Sequence, residues 1–273
     1  MSANDLFKAG KLQDAIDAQL TEVKTNPADH GKRLFLFELL SFAGDLDRAR
    51  RQIDAISYGE MERDAAVLDY RKLLDAEQAR RRLFGEGLAP QFLLPFPDHV
   101  HQRLEAVNRL REGRHAEAAE ALARAAAAAP TVSGQLNGKG FASFRDADDL
   151  FAGVLEVFSK GIYFWLPLEH VATLAMNAPQ YPRDLLWVPA RLEMIDGATG
   201  EVFLPALYPS SHEHAEDQVR LGRSTDWKNV ESGPVLGVGL RTFLVDDDAH
   251  SLLEWRQLEI TCSPKDSSAE GKT

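Results

Sequence analysis

Gly10-Lys11-Leu12-Gln13-Asp14-Ala15-Ile16 returns in the same chain as Gly44-Asp45-Leu46-Asp47-Arg48-Ala49-Arg50, and again as Gly113-Arg114-His115-Ala116-Glu117-Ala118-Ala119. The first two copies lie 44 − 10 = 34 residues apart and the third 113 − 44 = 69 further on. These offsets match one and about two tetratricopeptide periods of about 34 residues. Two copies also meet a proline at the same distance, Gly10 to Pro27 and Gly113 to Pro130, 17 residues each. Glycine suits the tight turn between paired antiparallel helices, where a Cβ is costly. Alanine five positions later lets the second helix approach the first. Proline then ends that helix.

Working outward, Phe35, Leu36, Leu39, Leu40 and Phe42 give the leading helix of the second copy a broad apolar face, which only stacked neighbours can bury. Tyr58 to Phe84 is helical in composition without the signature, and reads as a degenerate repeat. An ordinary helical bundle is the alternative to repeats. Pro95 and Pro97 precede a helix start at His99 and His101, with Leu104 and Val107 on its face.

After Pro130 the pattern changes. Residues 131–140 read as a linker by their turn residues, and Asp148 to Phe158 as one more helix. Strand-like runs follow at Ile162–Leu166, Leu185–Val188, Glu201–Leu204, Leu240–Val245 and Leu252–Thr261. Asp196 to Gly200 reads as a hairpin turn, Gly233 to Gly239 as a twisted strand, and Asp246 to Asp248 as an acidic turn. Only Glu169–Met176 looks helical among them. The expected fold is α+β: tetratricopeptide-like helical hairpins over 1–130, a strand-rich domain over 131–262, and a disordered tail over 263–273.

Composition narrows the function. The 273 residues carry 31 Lys and Arg against 42 Asp and Glu, a net charge of −11. Residues 1–130 hold 19 and 21 of these, a net of −2, and the remainder 12 and 21, a net of −9. Nucleic acid and anionic membranes are disfavoured as partners. Cys262 is the only cysteine, so neither an intramolecular disulfide nor a cysteine metal cluster can form. The opening MSANDLFKAG lacks the pattern of a signal peptide, and no run is long enough to span a bilayer, so a soluble cytoplasmic protein is expected.

Chemistry is sparse. His212 and His214, with Asp217 nearby, offer an HxH metal pair without an evident third ligand, in a segment (Ser210–Gln218) that reads as a polar loop. Gly233 to Gly239 lacks the lysine and helix start of a phosphate cradle, and Ser210 and Ser211 lack a nucleophile elbow. No catalytic residue, metal or cofactor is assigned. Arg80-Arg81-Arg82 reads as a solvated helix face.

The conspicuous side chains are aromatics and arginines in Tyr163-Phe164-Trp165-Leu166-Pro167, in 182–190 with Trp187, in Leu204-Pro205-Ala206-Leu207-Tyr208-Pro209, in Leu221-Gly222-Arg223-Ser224-Thr225-Asp226-Trp227, and in Gly239-Leu240-Arg241-Thr242-Phe243. With Asp146-Ala147-Asp148-Asp149 and Leu155-Glu156, these motifs resemble the ImpE/TagJ accessory proteins of type VI secretion systems across nearly the whole chain. One departure is Leu240, where a glutamine is expected before Arg241. The resemblance implies a non-enzymatic adaptor that binds the N-terminal helix of the small contractile-sheath protein and influences sheath assembly or recycling. Trp187, Tyr208, Arg223, Asp226, Trp227 and Arg241 are the candidate partner-binding residues, with Arg223 and Asp226 as a local ion pair. A metal-dependent or other enzymatic module in the C-terminal half, or a general tetratricopeptide-type scaffold, is the alternative.

Overall fold

The computed structural model describes residues 1–262; the expected disordered tail lies outside them, as does the side chain of Cys262. Seven helices come first: α1 (Ala3–Lys8), α2 (Leu12–Thr25), α3 (His30–Phe42), α4 (Leu46–Asp54), α5 (Met61–Glu86), α6 (Asp98–Arg111) and α7 (His115–Ala128). The three signature copies are the turns of three helical hairpins, α1–α2, α3–α4 and α6–α7. Gly10, Gly44 and Gly113 each adopt a left-handed backbone, with φ of 77°, 77° and 73°. The amide after each glycine reaches back five residues: Lys11 to the Leu6 carbonyl, Asp45 to Leu40 and Arg114 to Arg109, at 2.9, 3.0 and 2.8 Å. That is the Schellman closure, which a Cβ at the glycine would strain. Ala15, Ala49 and Ala118 are fully buried where paired helices meet.

The stretch read as a degenerate repeat is instead a single helix. α5 runs 26 residues, about 39 Å at 1.5 Å per residue, because no glycine stands where a hairpin would turn. It ends at Gly87, φ 79°. Asp29 and Asp45 cap α3 and α4 by accepting the amides of Lys32 and Arg48.

The strands are β1 (Val132–Leu136), β2 (Lys139–Phe141), β3 (Phe144–Asp146), β4 (Val154–Ser159), β5 (Ile162–Pro167), β6 (Val171–Met176), β7 (Trp187–Met194) and β8 (Thr199–Pro205). After the single helical turn α8 (Asp217–Arg220) come β9 (Thr225–Asn229), β10 (Val235–Gly239), β11 (Thr242–Val245), β12 (Asp248–Ser251) and β13 (Gln257–Cys262). Eight form one antiparallel sheet in the order β2-β1-β13-β6-β7-β8-β4-β5; β10-β9 and β12-β11-β3 form two small ones. The chain is α+β as expected. Among the described residues no helix is long and apolar enough to cross a membrane.

Three local expectations need correction. Residues 131–140 are no linker but the β1–β2 hairpin, turning at Asn137 and Gly138 with φ of 52° and 80°. Asn-Gly is the pair that a two-residue hairpin turn favours. The expected helix over 148–158 is a turn followed by β4. Asp148 captures the amides of Leu150 and Phe151, which redirects the chain, and β4 is buried on both faces, so alternation is invisible. Residues 171–176 are likewise β6, held between β13 and β7, where the β-branched Val171 and Thr173 fit. Two further runs start late: Trp187 follows a turn at Pro182–Leu185, and Gln257 follows one at Leu252–Glu254.

Side chains on β4 and β5 alternate between two cores. Val154, Phe158, Tyr163 and Trp165 join the apolar cluster of the helices, while Leu155, Val157, Phe164 and Leu166 join a second cluster on the sheet's other face. The helical core thus runs without a break into the strand-rich half. The segment between α5 and α6 also pairs with edge strand β5: the Gln91 amide donates to the Tyr163 carbonyl, and Trp165 to Gln91.

Candidate functional site

The helices and sheet meet around a buried polar cluster. From α5, Arg80 makes a two-pronged contact with Glu156 of β4 at 2.8 and 2.6 Å, and donates to the Leu207 carbonyl at 2.7 Å. Arg241 bridges Asp146 (2.8 Å) and Glu156, its guanidinium lying against the rings of Phe151 and Tyr208. The Tyr163 hydroxyl donates to Glu156 and that of Tyr208 to Asp146, the latter at 2.6 Å. Asp148 accepts the amides of Leu150, Phe151 and Gly237.

Burial raises the Asp148 carboxyl to about 7, reinforced by the neighbouring Asp146 charge. Burial lowers the Arg241 guanidinium to about 10 against the opposing pull of Asp146. Both tyrosine hydroxyls are pushed up by burial. Charges this deep are tolerated only when paired and hydrogen-bonded. The cluster therefore welds α5 to β4 and to the chain at Leu207.

Above the weld lies a trough. One cleft of about 310 Å³ is walled by Phe84 of α5, Val107 and Leu110 of α6, Leu150, Phe151 and Leu236, with Arg111 and Lys228 also lining it. A second, of about 390 Å³, continues from it past Phe84, Pro209 and Ser210 to Arg81 and Glu213. Pro209 and Ser210 are thus shared by both, and Ser210 turns the chain with a left-handed φ of 60°. The β9–β10 hairpin forms the far wall. Trp227 on it is half-buried, its ring 6.0 Å from that of Tyr208. A Cβ at Gly237 would stand 2.2 Å from the Tyr208 ring, so only glycine lets β10 lie so close.

The six residues singled out from sequence fall in two places. Trp187, Tyr208 and Arg241 are buried at 3%, 1% and 2% exposure. Trp187 packs on Phe37 of α3, and the other two belong to the weld. Arg223, Asp226 and Trp227 lie towards the surface. Arg223 and Asp226 do not pair: Arg223 caps the C-terminus of α1 by donating to the Phe7 and Lys8 carbonyls at 2.6 and 3.0 Å. Asp226 instead meets His214 at 3.2 Å and accepts the Trp227 amide, which lowers its pKa. Leu240 spans a single bridge to Leu207 and packs against the second core.

The HxH histidines part company. His212 lies against the Gly44 turn, where burial and then Arg81 depress its pKa, while His214 turns to Asp226. Among the described residues no three His, Cys, Asp or Glu side chains are placed to hold a metal. The expected loop 210–218 holds a short turn at Ser211–Glu213 and the start of α8, and it clasps the helices. Asp217 accepts the Leu12 amide at 2.8 Å, capping α2, which has no side-chain cap of its own, from 205 residues away.

Sequence reading missed Arg80, which is 4% exposed rather than on a solvated face. Its partner is far off in sequence and no periodicity reports it. Asp146, Asp148 and Glu156 were visible as motif residues without a role.

Comparison with known proteins gives three likenesses. Residues 138–259 match the family model described as ImpE protein. The chain is 38% identical over 263 residues to the type VI secretion system accessory component TagJ of Pseudomonas aeruginosa, covering 95% of this chain and 91% of that one. It superposes on an X-ray crystal structure of a Vibrio parahaemolyticus protein with a TM-score of 0.87 at 25% identity, covering 95% of this chain and 97% of that one.

Proposed function

The chain belongs to the ImpE/TagJ family of type VI secretion accessory proteins, and from that premise we propose that it works as a non-enzymatic adaptor, docking the N-terminal helix of the small sheath protein in the trough beside α5. The observation that carries this reading is the cleft between Phe84, Leu110, Phe151 and Leu236, an apolar slot beside Arg111 and Lys228. An amphipathic helix presents apolar residues every three or four positions, and such a groove receives that stripe. The basic pair favours an occupant with acidic residues flanking the stripe.

Trp227, Phe84 and Leu236 are the proposed contacts. Tyr208, Arg241 and Trp187 hold the wall and floor in position, and Asp226 fixes the loop through His214. Arg223 secures α1 beside the same loop. The acids and arginines of the weld are spent on one another, which supports docking rather than catalysis.

Isothermal titration with a peptide spanning that helix tests the reading. Micromolar binding is expected, weakened at least roughly 30-fold by Trp227→Ala or Leu236→Glu, the effect of losing an interface anchor worth about 2 kcal/mol. Full affinity in both variants, each folded by circular dichroism, would place the contact elsewhere.

A further inference from the structure

On α6, one turn before Val107, sits an arginine with part of its hydrogen-bonding unused. Arg103 is 1% exposed. Its Nη1 donates to the carbonyls of Asp149 and Leu150, both at 2.8 Å. Among the described residues Nε has no acceptor and none is seen at Nη2, while the charges of Asp148, Glu169, Asp149 and Asp146 act on the guanidinium from further off. Nη2 faces Gly153, where a Cβ would stand only 3.1 Å away. His99 shares this spot: its Nε2 meets Glu169 at 2.8 Å, and its buried Nδ1 has no partner either.

Arg103 and Gly153 line a cleft of about 210 Å³ that opens between α7, β1 and β3. Thr131, Ser143 and the half-exposed Arg145 stand around it. Two acids also border it, and both are engaged. Asp246 accepts the amides of Ala142 and Ser143 at 2.8 Å each, and Glu169 faces His99.

A buried guanidinium normally has its whole fork satisfied, because an unpaired buried charge is costly. Here one prong is spent on carbonyls. Nε is sealed from the cleft, and Nη2 is left as the unpaired donor of a residue that lines it, suited to a charge-assisted bond to a carboxylate oxygen. Arg145, 3.9 Å from Asp149, adds a second positive charge at the rim. We propose that this cleft is a carboxylate-binding site, separate from the trough, in which Arg103 holds a ligand oxygen through Nη2.

The test is a titration of the ¹⁵N-labelled full chain with sodium acetate against sodium chloride at equal ionic strength, following the arginine Nε–Hε resonances. The Arg103 resonance is identified by its loss in Arg103→Lys, or by its through-space contacts to Leu150 if that variant does not fold. The expected result is a saturable shift of this resonance with acetate, at about millimolar dissociation constant, and none with chloride. Ala152→Leu fills the half-exposed wall of the cleft and should abolish the shift. A parallel titration with N-acetyl-aspartyl amide separates sources. A shift as strong as with acetate points to an acidic side chain of a protein, and a shift with acetate alone to a free small carboxylate. An Arg103 resonance that ignores acetate, follows chloride equally, or still shifts in Ala152→Leu would overturn the site.

Discussion

Glu156→Ala probes the weld at its centre. The carboxylate is 2% exposed and satisfies Arg80, Arg241 and the Tyr163 hydroxyl together. Among the described residues, removing it leaves Arg80 with only the Glu77 carboxylate, at 3.6 Å, Arg241 with only that of Asp146, and the Tyr163 hydroxyl without its acceptor. Breaking a buried ion pair from one side costs about 3–5 kcal/mol, and an orphaned buried hydroxyl adds about 1–3 kcal/mol. Allowing for relaxation, the expected loss is about 5 kcal/mol, a large share of the roughly 5–15 kcal/mol that holds a typical protein folded. At roughly 2–4 °C per kcal/mol for a chain near this size, the melting temperature should fall by about 10–20 °C. The assay is urea unfolding followed by tryptophan fluorescence, with calorimetry alongside. Asp248→Ala is the control, because its pairing with Lys139 is an exposed contact at 3.7 Å, worth about 0–1 kcal/mol. A Glu156→Ala loss no greater than that of Asp248→Ala would refute the claim that the weld joins the two halves.

Asp148 makes a prediction about pH. Its folded pKa of about 7 lies above the ordinary 3.8, so the folded state holds a proton that the unfolded state has released between those values. Its contribution to stability is therefore present at low pH and lost as pH rises from about 4 to about 7. Urea unfolding of Asp148→Asn across that window should lack this part of the slope, whatever its absolute stability; an unchanged slope would contradict it. Asp217→Ala should cost about 1 kcal/mol and speed amide exchange at Leu12, as losing a helix cap does; unchanged exchange there would deny the long-range cap. Gly237→Ala forces its new methyl into the Tyr208 ring. It should destabilise by about 1–3 kcal/mol, the usual cost of overpacking, while Gly197→Ala, where the turn is open, should not perturb the Tyr208 environment in NMR spectra.

The hairpins were legible because a left-handed glycine, a close-packed alanine and a helix-ending proline each leave a local mark at fixed spacing. The β7–β8 hairpin was legible for the same reason, through Asp196 to Gly200. Residues 154–159 were misread because a strand buried on both faces shows no alternation, and 171–176 because a register shift at Val171–Thr173 puts the buried Val171 and Leu174 three apart, as in a helix. The Asn137-Gly138 turn, by contrast, is marked in the sequence, but the Gly and Ser of the short strands beside it give the composition of a linker. The weld could not be derived: Arg80 and Glu156 lie 76 residues apart, and only folding turns a run of three arginines into one buried and two peripheral ones. The motifs of the C-terminal half proved to be mostly the weld and its supports. Pro209 lines the trough, and Trp227 stands half-buried on its β9–β10 wall.

The most direct test of the adaptor reading is hydrogen–deuterium exchange of the full chain with and without the sheath-protein helix peptide. Protection confined to the C-terminal end of α5, to α6 around Val107–Arg111, and to the 209–213 and β9–β10 segments is the predicted result. Binding that leaves those segments unchanged and protects another surface would contradict the account.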